Sequence, residues 1–235
     1  MIVVTALCLA AGSALLAGCT RDSDLLLRLD QEKETREAIR DRTARQHAVR
    51  QGGAEAVRTV WDAERGRVLS FSGGDAYLRI AKSPDLDLQK GFTLSVWLKV
   101  ESFDRQLPVL EWEKEGWGTH LWLNVHGYQW QHGPAGINLC IAGAGPENVV
   151  STANPEPNRW SHVAVTYDAR QHVCRVFMNH ELKVTSTVPM GAVPTLTDLI
   201  VGARPEMKND ARFKGLMDDI RVFRRPLTPE EIKAL

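Results

Sequence analysis

The sequence predicts an all-β domain made of two stacked antiparallel sheets, with a charged helical segment before it and a short helix at its C-terminus. From Val57 on, short runs of β-branched and aromatic residues alternate with Gly, Pro, Asn and Asp, a pattern typical of an antiparallel sandwich. A chain of 235 residues can hold one such domain and an appendage. We therefore assign the sandwich to residues 57–235.

Two runs show the alternation that a half-buried strand requires. One run predicts a buried face formed by every second residue: Phe92, Leu94, Val96, Leu98 and Val100. The other buries Val163, Val165 and Tyr167 in the same way. Near the end of the chain, Thr228, Pro229 and Glu231 have the spacing of a capping box with proline at the first helical position. These three residues predict the start of the short C-terminal helix.

The first 19 residues form an apolar run rich in small residues, which predicts an export signal. The run ends in Leu16-Ala17-Gly18-Cys19, which resembles the lipobox of bacterial lipoprotein signal peptides and implies a lipid on Cys19. Thr20 is not acidic, so the resemblance favours the outer membrane or cell surface over inner-membrane retention. No Lys or Arg precedes the apolar run, so an uncleaved anchor or a buried N-terminal helix stays open.

Residues 20–56 are predicted to form a charged helical stalk or linker. Strong helix formers dominate this segment, and the pair Glu32 and Arg36 has the four-residue spacing of a helical ion pair. A helix of this length would hold the sandwich roughly 40 Å from the lipid. Gly52-Gly53 marks the end of the stalk.

Net charge and cysteine content limit the partners and the covalent structure. Acidic and basic residues number 29 each, so charge does not drive binding to nucleic acid. Of the four cysteines, Cys140 and Cys174 fall in the exported domain, where they can form a disulfide or stay as two separately buried thiols. Both alternatives are open because pairing requires neighbouring strands.

Four blocks of sequence carry a family resemblance, and they occur in the family's order over residues 66–235. The blocks are Gly66–Leu78, Phe92–Trp97, Asn158–Asp168 and Gly215–Phe223. They resemble the laminin-G-like, concanavalin A-like jelly-roll family. The resemblance implies a jelly-roll sandwich, frequent calcium binding and roles in carbohydrate or protein adhesion. One departure is Asn179-His180, where the family usually has Asn-Gly, so this turn can differ in type.

The resemblance also implies a structural calcium site, because it brings the first and last strands of the domain together. Asp75 would then lie near Asp218 or Asp219, with the carbonyl oxygens of Gly73 and Gly74 close by. Oxygen ligands of this kind suit calcium. The alternative is that Asp75 serves only its turn and that Asp218 makes an ordinary hydrogen bond.

A candidate ligand-binding row lies in the run 120–126. If Leu121, Leu123 and Val125 face the core, the alternate residues project together on the opposite face. An indole ring can stack on a sugar, while imidazole and amide groups can hydrogen-bond to hydroxyls. The alternative is that the tryptophan packs under a loop and the histidines are solvated. The predicted row is His120, Trp122, Asn124 and His126.

These observations favour a non-catalytic cell-envelope module that binds a glycan or an envelope protein. A second hypothesis is an assembly subunit whose interface is the helical stalk. A third is a jelly-roll glycoside hydrolase, since Glu111, Glu113 and Glu115 are similar to the alternating acidic motif of those enzymes. The third lacks the central Asp and the neighbouring motif residues, so no catalytic residue is predicted.

Overall fold

A computed structural model of the chain describes residues 22–31, 38–112, 119–124, 136–141, 148–151, 153–188, 193, 195–204 and 211–235. The predicted signal, including Cys19, lies outside these residues. The described strands and α-helix are β1 (Leu25–Leu29), β2 (Val49–Gly52), β3 (Arg58–Asp62), β4 (Gly66–Ser72), β5 (Tyr77–Ile80), β6 (Gly91–Val100), β7 (Leu107–Trp112), β8 (His120–Asn124), β9 (Gly136–Cys140), β10 (Asn148–Ser151), β11 (Trp160–Asp168), β12 (Val173–Met178), β13 (Glu181–Thr187), β14 (Leu199–Val201), β15 (Lys214–Phe223) and α1 (Pro229–Lys233). Two short 3-10 helices span Asp22–Asp24 and Pro84–Leu86.

The strands form two antiparallel sheets, as predicted. The first sheet has the order β13-β12-β11-β6-β15-β4-β3, and β1 also pairs with β15. The second has the order β10-β9-β8-β7-β14-β5-β2. Apolar side chains from both sheets form one core between them, and the predicted inward faces of β6 and β11 are fully or almost fully buried within it. No helix among the described residues is long and apolar enough to cross a membrane.

The C-terminal helix is confirmed. Thr228 caps α1, its side chain accepts a hydrogen bond from the Glu231 backbone N–H, and the Glu231 side chain accepts one from the Thr228 backbone N–H. The helix covers part of the outer face of the first sheet, where Ile232 packs with Ala164, Phe177 and Phe223. Thr93, on the outer side of β6, is also buried, and it hydrogen-bonds to Arg225 and Leu227 in the segment before the helix.

The helical stalk is wrong for the described part of residues 20–56. Leu25–Leu29 is strand β1, and Val49–Gly52 is strand β2 of the second sheet. Leu26, Leu27 and Leu29 are fully buried in the common core. Burying three leucines outweighs the helix propensity of neighbouring charged residues, because propensity is a weak local preference. The sandwich therefore includes β1, and the predicted boundary at residue 57 is too late.

Candidate functional site

One edge of β15 is shared by two strands, and a gap lies between them. Lys214 to Met217 pair with β4, whereas Ile220 to Phe223 pair with β1. Between these segments the pairing of β15 with β6 shifts register between Asp218 and Arg221. Such a bulge changes the direction of side chains locally. Asp219 has a φ of 45°, in the left-handed region that costs a non-glycine residue about 1 kcal/mol.

A pocket of about 440 Å³ lies at this gap. The C-terminal end of β1, the hairpin between β3 and β4, and the bulge of β15 contribute its lining. Trp61 stands out among the lining residues because 77% of its surface is exposed. The complete lining is Arg28, Asp30, Trp61, Ala63, Glu64, Arg65, Gly66, Asp218 and Asp219. The pocket therefore combines an open indole ring with charged groups of both signs.

Each carboxylate of the pocket has a basic partner. Arg65 Nε lies 2.8 Å from Asp218 Oδ2, and Arg28 Nε lies 2.9 Å from Asp219 Oδ1. The remaining pairs are Arg28 with Asp30 at 2.7 Å, Arg221 with Asp219 at 2.5 Å and Lys99 with Glu64 at 3.7 Å. Each carboxylate of the lining therefore has a basic partner within the protein, and Arg28 serves both Asp30 and Asp219.

The Arg65 side chain is held from several directions. Its guanidinium lies 4.2 Å from the ring centre of Trp97 and 5.5 Å from that of Trp160, distances at which cation–π attraction operates. Burial raises the pKa of the Asp218 carboxyl, and the Arg65 guanidinium offsets part of this rise. These contacts fix the position of Arg65 at the pocket.

Asp62 anchors the hairpin that carries Arg65. Its Oδ1 accepts hydrogen bonds from the Trp160 indole at 2.9 Å and from the Arg65 backbone N–H at 3.2 Å, and Lys99 Nζ lies 3.1 Å from its Oδ2. Burial alone would raise the pKa of Asp62, but the hydrogen bonds, that of Trp160 foremost, outweigh burial and lower the pKa to about 2. Asp62 is therefore held in its ionised form.

Two stacked histidines lie beside Trp97 on the same outer face. The rings of His162 and His180 are 4.6 Å apart, and Ser95 Oγ lies 2.8 Å from His162 Nε2. Burial foremost, and then the adjacent His180, lowers the pKa of His162 to about 3. His180 Nδ1 donates to the Ile232 carbonyl in α1. Asn179 and His180 both have positive φ, as a type I′ turn requires, so the turn does not differ in type from an Asn-Gly turn.

The predicted ligand-binding row is only partly described. Leu121 and Leu123 face the core, as expected, so Trp122 lies on the opposite face of β8. Trp122 is only 6% exposed, so its ring is not the open stacking surface expected from the sequence. The side chains of His120 and Asn124, and the whole of His126, lie outside the described part.

Trp122 belongs to a buried polar cluster on the outer face of the second sheet. Its indole donates to Glu111 Oε2 at 3.1 Å, and Arg204 Nε lies 3.3 Å from Glu111 Oε1. The Arg204 guanidinium also lies 5.6 Å from the Trp122 ring. Asn138, opposite Trp122 on β9, is 3% exposed, and its Oδ1 accepts no hydrogen bond from the described residues. Because these side chains are buried and most of them contact one another, the cluster mainly stabilises the fold.

Arginines bind the oxygens that the calcium hypothesis assigned to a metal ion. Arg212 Nη2 lies 3.4 Å from Asp75 Oδ1, and Arg105 Nη1 donates to the Gly73 carbonyl at 3.2 Å. Asp218 pairs with Arg65 instead of joining Asp75. Among the described residues, no group of three or more His, Cys, Asp and Glu is arranged to hold a metal. The donor set of Asp75 and Asp218 therefore does not fit calcium, because guanidinium groups already supply the positive charge.

The disulfide is not formed. Cys174 in β12 of the first sheet faces the common core, whereas Cys140 is in β9 of the second sheet and both are free thiols. Ile137 and Leu139 face the core, so Cys140 points away from it. Burial raises the pKa of both thiols to about 12. The alternative of two separately buried thiols is the one observed.

The pocket beside Trp61 was not predicted from the sequence. Trp61 lies in β3, and Arg65 lies in the hairpin just before the family-like block that begins at Gly66. A tryptophan next to a hairpin was a signal for a binding site, but no local sequence pattern indicated that Arg28 and Asp219 would line the same pocket. Only the pairing of β1 with β15 brings these residues together.

Comparisons with known structures agree with this fold. Domain 4 of AbnA, a GH43 extracellular arabinanase from Geobacillus stearothermophilus solved in complex with arabinotriose, is similar with a TM-score of 0.71 and 16% identity, over 90% of this chain and 97% of that one. The binding domain of Paraclostridial Mosquitocidal Protein 1 has a TM-score of 0.69 and 13% identity, over 91% of this chain and 52% of that one.

The binding domain of botulinum neurotoxin DC, solved in complex with SialylT, has a TM-score of 0.66 and 12% identity, over 91% of this chain and 51% of that one. The chain thus spans about half the length of the two toxin domains. No curated protein matches it in sequence. Residues 72–233 match the family model of the concanavalin A-like lectin/glucanases superfamily. With both sheets in place and most of its length matched, this chain belongs to that superfamily.

Proposed function

We propose that this protein is a non-catalytic binding module of the bacterial cell envelope and that it recognises carbohydrate in the pocket beside Trp61. The observation that carries this proposal is the open indole of Trp61 next to fixed arginine and aspartate side chains. A sugar ring has an apolar face that can stack on indole and hydroxyls that hydrogen-bond at its edge. The similar arabinanase domain in complex with arabinotriose supports a saccharide ligand.

The burial and the contacts of Glu111, the candidate acid, favour a binding role over hydrolysis. Glu111 is 2% exposed, accepts a hydrogen bond from Trp122 and forms an ion pair with Arg204. A general acid must reach the glycosidic oxygen of its substrate, whereas the Glu111 carboxylate is buried and already in contact with Trp122 and Arg204. The assembly hypothesis loses its premise, because the segment expected to form its helical interface contains β1 and β2.

The proposed lipid on Cys19 would hold the domain close to the membrane. Five residues lie between Cys19 and Leu25 at the start of β1, and three of them form the short 3-10 helix Asp22–Asp24, so the linker spans at most about 20 Å. Arg28 on β1 lines the pocket. The pocket would therefore sit near the envelope surface, where cell-envelope glycans are concentrated.

The proposal is tested on a glycan array with protein that carries Cys19→Ser, which prevents lipid attachment. We expect binding of at least one saccharide class and loss of that binding in Trp61→Ala. The matched control is Leu182→Ala, because Leu182 is 50% exposed on β13 at the opposite edge of the same sheet. Equal binding by both variants, or no saccharide bound by the parent protein, would overturn the proposal.

A further inference from the structure

We infer that the pocket selects an uncharged saccharide and that its two partly buried ion pairs, Arg65–Asp218 and Arg28–Asp219, bind neighbouring hydroxyls of that saccharide. This inference rests on the proposed function and names the ligand class of the same site. The pocket volume of about 440 Å³ lies within the range of small-molecule sites, roughly 300 to 1,000 Å³. It lies on the first sheet, away from the Trp122 cluster.

The ion pairs that already hold the charged groups of the pocket argue against an ionic ligand. Asp30, Glu64, Asp218 and Asp219 all have a basic partner within 4 Å. An anionic ligand would have to draw an arginine from its aspartate, and a cationic ligand would have to displace an arginine from the buried carboxylate of Asp218 or Asp219. Either exchange leaves a partly buried charge without its partner, which is costly. An uncharged ligand leaves every pair intact.

The ion pairs offer what a hydroxyl needs, a donor and an acceptor side by side. Arg65 uses Nε for Asp218 and makes no other side-chain hydrogen bond to a described residue. Its terminal N–H groups can therefore donate to a ligand oxygen, while Asp218 retains further acceptor positions. Since a hydroxyl both donates and accepts, it can bridge the pair without breaking it. Arg28 with Asp219 forms a second such pair along the gap.

The backbone at Asp219 supports a specificity role. Its positive φ is a conformation that suits glycine, yet the position carries a carboxylate that pairs with Arg28 and Arg221. The bulge also places Asp218 and Asp219, which are consecutive in the chain, in the lining of one pocket. Strained residues held by surrounding contacts are concentrated at ligand sites. We therefore expect Asp219 to be a specificity-determining residue.

The test titrates the Cys19→Ser protein calorimetrically with a neutral oligosaccharide chosen from the array, its uronic acid and amino sugar analogues, and single-deoxy analogues. We expect the uronate and the amine to bind about tenfold or more weakly than the neutral sugar, and one deoxy analogue to lose about tenfold. Affinity for the neutral sugar should change less than about twofold between roughly 50 and 500 mM NaCl, because no net charge is paired on binding.

Asp219→Asn removes the charge from the pocket and retains a residue that tolerates positive φ. We expect about tenfold weaker binding of the neutral sugar and a smaller penalty for its uronate, because the arginines gain excess charge. The control is Asp198→Asn, which breaks an arginine–aspartate pair with Arg79 outside the pocket. Melting curves check that each variant is folded, and the parent protein's preference among analogues does not depend on any variant.

The outcomes separate the two proposals. Trp61-dependent binding that is tightest for the uronate or the amine, or that falls about tenfold in high salt, overturns the uncharged-ligand inference and leaves carbohydrate binding in place. Loss of all Trp61-dependent saccharide binding overturns both. Equal affinity of Asp219→Asn and Asp198→Asn would remove Asp219 from the recognition of the ligand.

Discussion

Each sheet carries a tryptophan next to an arginine–carboxylate pair, but only one of these groups is open. Trp61 on the first sheet is 77% exposed, whereas Trp122 on the second is 6% exposed. The side chains of Arg28 and Asp30 are 36% and 18% exposed, against 7% and 2% for Arg204 and Glu111. The same residue types can therefore form a ligand pocket or a structural cluster, and burial decides between them.

The largest difference should appear when one acid is removed from each face. Glu111→Ala is expected to lower the free energy of unfolding by about 3 to 5 kcal/mol, because it removes a buried ion pair with Arg204 and the hydrogen bond from Trp122. Asp30→Ala is expected to cost less than about 1 kcal/mol, since its pair is partly solvated. Urea unfolding measures both values. Similar costs for the two variants would contradict the contrast between the faces.

The two tryptophans should show opposite effects. Trp122→Ala is expected to destabilise the fold by about 3 kcal/mol through lost packing and hydrogen bonding, whereas Trp61→Ala should change stability by less than about 0.5 kcal/mol. Saccharide binding should be lost only in Trp61→Ala among the folded variants. Thermal melting together with calorimetry provides both readings, and loss of binding in a folded Trp122 variant alone would reverse the assignment.

His162 packs against Trp97 on the outer face of the first sheet, and its burial predicts a pH dependence of stability. The folded protein holds the pKa of His162 at about 3, against 6.5 in its ordinary state. The unfolded chain therefore takes up a proton first as the pH falls through 6.5, and stability decreases. We expect a loss of about 2 kcal/mol from this residue between pH 7 and 5. The loss should be absent in His162→Asn, measured by urea unfolding at both pH values.

A smaller effect is expected at Asp62, which anchors the hairpin beside the pocket. Its pKa is about 2 when folded and 3.8 ordinarily, so its stabilising contribution is present above pH 3.8 and lost as the pH falls toward 2. Because its partner Lys99 is partly exposed, we expect about 1 kcal/mol. Acid unfolding curves of the parent and Asp62→Asn should differ above pH 4 and converge near pH 2. Parallel curves would contradict this prediction.

The strands of the sandwich could be predicted because the alternation of apolar and polar residues that indicates a strand lies within the strand itself. Alternation in the runs 92–100 and 161–167 determines which side chains face the core, and the capping box at Thr228 locates α1. The face of Trp122 was likewise predictable from alternation with Leu121 and Leu123. Its burial was not, because exposure depends on what packs over the face and not on the strand's own pattern.

The pocket itself depends on contacts between distant parts of the chain. Arg28 and Asp219 are 191 residues apart in sequence but hydrogen-bonded in the structure. Helix formers around the leucines of β1 suggested a helix, and no local pattern indicated that β15 changes partner from β4 to β1 after Met217. Tertiary pairing overrides propensity in such a segment, which explains both the missed strand and the missed site.

An experimental structure of the protein with the bound saccharide tests the central claim most directly. We predict that a sugar ring stacks on Trp61 and that its hydroxyls contact the Arg65–Asp218 and Arg28–Asp219 pairs, with both pairs intact. A saccharide bound over Trp122 and Asn138 on the second sheet, with the Trp61 pocket empty, would contradict the assignment of the binding face.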